Sequence, residues 1–126
     1  MKKKIWRHKN IKESFLGSLD GLISVIKIEK NAQIIFCIGI ITFIFSLILR
    51  LSYCELTIVI MVIISVFTCE VFNTLVEYIC DIIKPESDPH IKALKDISSG
   101  AVLIVCLSAM LIGIIIFGPK IISILF

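Results

Sequence analysis

The sequence predicts an all-α integral membrane protein, with an N-terminal amphipathic surface helix followed by three transmembrane helices. Three observations carry this. Of the 126 residues, 58% are hydrophobic and the mean hydropathy is +1.05, well above the roughly 45–50% apolar usage of soluble domains. Apolar runs without a charge stand at 32–49, 56–69 and 101–117, the second continuing into a polar-studded segment to Asp81, and a span needs about 20 mostly apolar residues. Ahead of them, residues 11–29 repeat apolar side chains at helical spacing while keeping charge on the other side. No length remains for a separate soluble domain, so 1–126 reads as one membrane domain.

The first element is IKESFLGSLDGLISVIKIE, 11–29. Phe15, Leu19, Leu22 and Ile26 recur at i, i+4, i+7 and i+11, one face of a 3.6-residue helix, with Leu16 and Ile23 widening the stripe. Glu13, Gly17, Asp20, Ser24 and Lys27 fall opposite. A charged amphipathic helix just before a span fits a segment lying in the membrane interface, so residues 1–30 are expected at the cytoplasmic surface. Those amphipathic residues separate the basic N-terminus from the first apolar run, unlike a cleavable signal. Glu29 admits two readings. If the helix continues, its carboxylate projects from the apolar side and needs a partner; if the chain has already turned into the membrane, it snorkels at the surface.

The spans are expected at 32–50, 55–82 and 95–118, with a cytoplasmic loop and helix start at 83–94. Pro85 and Pro89 punctuate that loop. Asp88-Pro89 suits a helix start, because aspartate caps and proline is tolerated at the first helical position. Orientation follows from lysine and arginine. Eight of the thirteen lie in residues 1–31; Arg50 alone lies between spans one and two; Lys84, Lys92 and Lys95 lie between spans two and three; Lys120 lies in the tail. Cytoplasmic segments are enriched in such residues, which puts the N-terminus and the 82–96 loop inside and the C-terminus outside. The net charge of +3 expresses this asymmetry and gives no sign of nucleic-acid binding. The five cysteines, Cys37, Cys54, Cys69, Cys80 and Cys106, form no CxxC and read as small apolar residues within spans.

The chemistry concentrates in EVFNTLVEYICD, 70–81, at the inner end of span two. At about 100° per residue, with Glu70 at zero, Asn73 falls near −60°, Glu77 near −20° and Asp81 near +20°, one face about 80° wide. At about 1.5 Å per residue the ladder extends roughly 16 Å, from Glu70 in the inner leaflet to Asp81 at the cytoplasmic interface. Ionisable residues at this depth are costly and mark pathways or reactive sites. Three carboxylates repel one another unless a cation sits among them, and magnesium is held by one or two carboxylates together with phosphate oxygens. Lys95 and Asp96 fall at the depth of the inner end. Carboxylates, an amide, a lysine and apolar walls suit MgATP meeting a lipid hydroxyl. The segment GIIIFGPK, 113–120, only imitates a phosphate loop: Pro119 interrupts it, no Ser or Thr follows Lys120, and it lies at the outer face.

Two other classes compete. A small transporter could use Glu70 as an embedded proton site, but it would want charge near the midplane with access from both sides, whereas these residues crowd one leaflet. A structural subunit without chemistry leaves Glu70, Glu77 and Asp81 unexplained.

These residues resemble the prokaryotic diacylglycerol kinase and undecaprenol kinase family. The similar positions are ExxNTxxExxxD as Glu70, Asn73, Thr74, Glu77 and Asp81; Lys95-Asp96 followed by SSGAVL at 98–103; SFxxSxxGL at 14–22; and Glu29-Lys30-Asn31. The resemblance covers about 11–117. It implies a homotrimer with active sites between subunits at the cytoplasmic interface. It implies Glu70 as catalytic base and Glu29 and Glu77 as ligands of a divalent metal, Mg2+, bound with ATP. Asn73, Asp81, Lys95, Asp96 and loop residue Glu86 would help hold the nucleotide. After Asn31 the family usually has an aromatic residue and an arginine, then often a histidine; here stand Ala32, Gln33, Ile34 and Ile35. A loop pattern Glu-Tyr-His-Pro is here Glu86, Ser87, Asp88, Pro89. Nucleotide contacts and loop geometry are expected to differ there, and catalysis to persist because the ladder is intact. The proline loop and the Glu-x-Asn entry look like Gram-positive members, which favours undecaprenol as acceptor, with diacylglycerol second.

Overall fold

The computed structural model describes residues 10–83 and 88–126; the expectations for 1–9 and for Lys84, Pro85, Glu86 and Ser87 lie outside the described residues. The chain is four helices in order: α1 Ile11–Ile28, α2 Lys30–Ile48, α3 Tyr53–Ile83 and α4 Pro89–Leu125. The last three are long and apolar enough to cross a membrane.

α1 and α2 meet at Glu29, a single extended residue at φ −96°, ψ 117°. The hydrogen bonding barely notices the joint. The Glu29 N–H donates to Val25 O at 2.9 Å and its carbonyl accepts from Gln33 N–H at 3.1 Å. The Gln33 side chain then donates to Lys27 O at 3.3 Å, satisfying one of the carbonyls a helix end leaves unpaired. The helix breaks at Glu29 and its side chain is half-buried, so neither reading of Glu29 holds whole.

α2 is apolar all round, and its buried residues are small: Ala32, Gly39 and Ser46. A Cβ on Gly39 would stand 2.9 Å from Ile63 Cγ2, so this glycine sets how closely α2 approaches α3. α2 closes in a Schellman motif: Leu51 N–H bonds to Ser46 O at 3.2 Å and Arg50 N–H to Leu47 O at 3.1 Å. Arg50 takes the left-handed position at φ 49°, where glycine is usual.

α3 opens on a capping box. Ser52 N–H donates to Glu55 Oε2 at 2.7 Å and Glu55 N–H to Ser52 Oγ at 3.3 Å. α4 opens on Asp88, whose carboxylate accepts from His90 N–H at 2.8 Å, with Pro89 at the first helical position. It does not stop at Gly118-Pro119 but runs through Pro119 to Leu125. Proline removes one helical hydrogen bond, and the apolar residues on both sides keep the helix going.

α3 is central, packed along α4 on one side and α2 on the other. Phe36 of α2 meets Phe67 of α3, ring centroids 6.0 Å apart, and Phe45 of α2 meets Phe117 of α4 at 5.6 Å. Packing is inverted relative to a soluble bundle. Large side chains such as Ile41, Ile48, Met61, Ile104 and Ile114 face outward, while Glu70, Asn73, Thr74 and Ser46 are buried. In lipid, apolar surface needs no covering, and helices associate through small and polar residues. The molecule is a multi-pass membrane protein on this ground.

Candidate functional site

Part of the ladder is buried. Glu70 is 3% exposed and Asn73 5%, with Thr74 beside them at 2%; Glu77 is half-buried and Asp81 exposed. Asn73 Nδ2 donates to Glu77 Oε1 at 2.9 Å, which holds the half-buried Glu77 carboxylate in one orientation. Near the C-terminal end of α3, Asp81 Oδ1 accepts from Lys95 Nζ at 2.6 Å across the α3–α4 interface. Lys95 also lies within electrostatic range of Glu77.

Glu70 is different. Among the described residues its carboxylate makes no hydrogen bond and no ion pair, although it lies within electrostatic range of Glu77 and Glu29. Asn73 Oδ1 is likewise buried and unpaired. Such groups are costly inside a structure. The site therefore gathers oxygen acceptors, two of them buried and without a partner, with the nearby Lys95 ammonium already tied to Asp81.

Of the residues expected at the site, the structure gathers Glu70, Asn73 and Glu77, with half-buried Glu29 beside them at the α1–α2 joint and the Asp81–Lys95 pair further out. Asp96 is exposed; its backbone carbonyl accepts from Ser99 Oγ at 3.0 Å, and no bond joins its carboxylate to the ladder among the described residues. Glu86 lies outside the described residues. Sequence reasoning passed over two neighbours. Thr74, one turn from Glu70, falls at about +40° on the same wheel and was legible there. Cys106, within electrostatic range of Glu70 from α4, had no signal in its own helix.

Among the described residues, no three His, Cys, Asp or Glu side chains converge into a closed metal cage. Glu77 and Asn73 on α3 and Glu29 at the α1–α2 joint offer carboxylate and amide oxygens, an open, oxygen-only donor set. That chemistry suits a hard divalent cation whose remaining positions are taken by water or phosphate and does not suit zinc or another thiophilic metal.

The chain is similar to known proteins. The family model described as prokaryotic diacylglycerol kinase matches residues 17–117. An undecaprenol kinase from Bacillus subtilis (strain 168) is 31% identical over 108 residues, 86% of this chain and 88% of that protein.

Proposed function

We propose that this chain, which belongs to the prokaryotic diacylglycerol kinase family and is a lipid kinase, transfers the γ-phosphoryl group of ATP to the hydroxyl of undecaprenol at the inner face of the membrane. The observation that carries the reading is the buried, unpartnered Glu70 one turn from an oriented Asn73–Glu77 pair. The named acceptor of the Bacillus relative favours undecaprenol.

Phosphoryl transfer asks mainly for positioning and for neutralisation of charge. Glu70, free of partners, accepts the proton of the lipid hydroxyl as its oxygen attacks. Asn73 fixes Glu77 and leaves its own Oδ1 to accept from the nucleotide or the acceptor. Asp81 holds the Lys95 ammonium at the cytoplasmic mouth, where phosphate oxygens arrive. Glu29 and Glu77 are the residues that would hold Mg2+, which when bound with ATP neutralises phosphate charge. The joint at Glu29 supports this: the turn between α1 and α2 keeps that carboxylate at the interface.

In this reading the N-terminus and the α3–α4 connection face the cytoplasm, and α1 lies along the inner surface with Phe15, Leu19, Leu22 and Ile26 toward lipid. Three copies assemble, with sites between them; this rests on the family resemblance alone, and chemical crosslinking in detergent tests it.

The deciding experiment is transfer of labelled γ-phosphate from MgATP by purified protein in mixed micelles, with undecaprenol and diacylglycerol side by side. Much higher efficiency on undecaprenol is expected. Preference for diacylglycerol would reassign the acceptor, and no product from either would reject ATP as the donor to these lipids.

A further inference from the structure

Two ion pairs set the register of α3 against α4, Asp81–Lys95 near the inner end and Glu55–Lys120 near the outer. In an antiparallel pair, each step outward on one helix is matched by a step outward on the other. Eleven residues from Asp81 reach Glu70, and eleven from Lys95 reach Cys106. Counting fifteen from the outer pair reaches Glu70 and Val105, the neighbouring residue. Cys106 thus stands across from Glu70, in keeping with their electrostatic contact.

Cys106 is also where a cavity of ≈ 440 Å³ begins, bounded by α2, α3 and α4. Its innermost lining on α3 and α4 is Val66, one turn outward from Glu70, and Cys106. Its outermost lining is Val59 and Phe117, and the Phe117 ring packs on Phe45 there. From Cys106 to Phe117 the groove extends about 16 Å along α4. Its walls are hydrocarbon; among the described residues lining it, Thr42 carries the one hydroxyl.

We propose that this groove seats the first prenyl units of a polyprenol with the hydroxyl at Glu70, and that it selects a polyprenol over a diacylglycerol. The proposal rests on the lipid-kinase reading above. A polyprenol carries its hydroxyl directly on a hydrocarbon chain, so only methyl and methylene groups follow it into the groove. A diacylglycerol carries two esters within a few bonds of its hydroxyl, and their carbonyls would press on Val66 and Cys106, where the weakly donating Cys106 thiol is the one group that could meet them. An unpaired buried acceptor of this kind lowers affinity about tenfold or more. Hydrophobicity does not discriminate here, because either tail leaves lipid for lipid-like walls; the unpaired carbonyls do. The distal units leave through the groove's open side into the bilayer.

Gly113 lines the groove, and a Cβ there meets only Phe117 Cδ2 at 4.0 Å, so the backbone there accepts a side chain, which would narrow the groove. Gly118, on the same helix, is outside the lining and has nothing within 4 Å of such a Cβ, which makes it the matched control. The test measures kcat/KM on a one-unit prenol, farnesol, undecaprenol and diacylglycerol. Gly113→Leu is expected to lower the value about tenfold on farnesol and undecaprenol, and Gly113→Ala by less. Both leave the one-unit prenol within about twofold, since that chain ends before Gly113, about 10 Å from Cys106. Gly118→Leu stays within about twofold of the parent on every acceptor. Unchanged undecaprenol turnover in Gly113→Leu overturns the proposal. So does an equal loss on all acceptors, the result expected if another copy fills the groove, and so does a parent enzyme that prefers diacylglycerol. A parent enzyme that phosphorylates no lipid alcohol fails the kinase reading itself, a failure visible before any variant is made.

Discussion

The α3–α4 hairpin carries a lysine–carboxylate pair toward each end, and the two ends commit their carboxylates differently. At the end where α3 begins, Glu55 Oε2 takes the Ser52 N–H in the capping box and lies 3.5 Å from Lys120. At the other end Asp81 alone is neutralised, by Lys95. Glu77 has one amide donor, and Glu70, almost completely buried, has none among the described residues. The lesson concerns stability as much as chemistry. A carboxylate that starts a helix and pairs with a lysine holds structure together. A carboxylate buried beside two others costs stability, and such a cost persists where the uncommitted group does chemistry.

This contrast can be broken at graded points. Glu70→Gln keeps size and removes basicity. It is expected to lower kcat by about a thousandfold or more, since proton transfer contributes about 10²–10⁴, with ATP binding retained; a labelled-phosphate assay showing normal turnover would sink the assignment. Glu77→Gln keeps an acceptor for Asn73 but loses charge. A loss of about ten- to a hundredfold is expected, with the magnesium response displaced to higher concentration. An active variant with an unchanged magnesium titration would remove Glu77 from metal binding. Asp81→Asn frees Lys95 without removing it. The expectation is a rise of about threefold to tenfold in the KM for ATP and little change in melting temperature, because an exposed ion pair contributes little to stability; a KM equal to the parent's would show that the pair does not position the lysine. Glu55→Gln, the outer counterpart, should lower the melting temperature slightly and leave kcat/KM for both substrates unchanged. A loss of turnover there would erase the distinction between the two ends.

Legibility followed locality. The apolar runs, the Asp88-Pro89 helix start and the shared face of Glu70, Asn73, Glu77 and Asp81 are properties of single helices, and period and capping chemistry reveal them. The sequence left the break at Glu29 as one of two readings, because no residue type there marks a helix end; the exchange of donors among Glu29, Gln33 and Lys27 localises it. The departures from the family pattern at Ala32 and Gln33 also gain a physical account. Ala32 is fully buried, where a large side chain would not fit, and Gln33 closes the α1–α2 joint.

By itself the sequence determined an all-helical membrane chain, its three apolar spans and the placing of three carboxylates and an amide on one helical face, because these depend on residue order within a helix. Only the tertiary structure decided which lysine meets which carboxylate, that Gly39 admits α3 at close range, and that Cys106 and an apolar groove stand opposite Glu70. Those facts depend on the register between helices. In lipid that register is chosen by small residues and paired charges, not by any period that one helix carries alone.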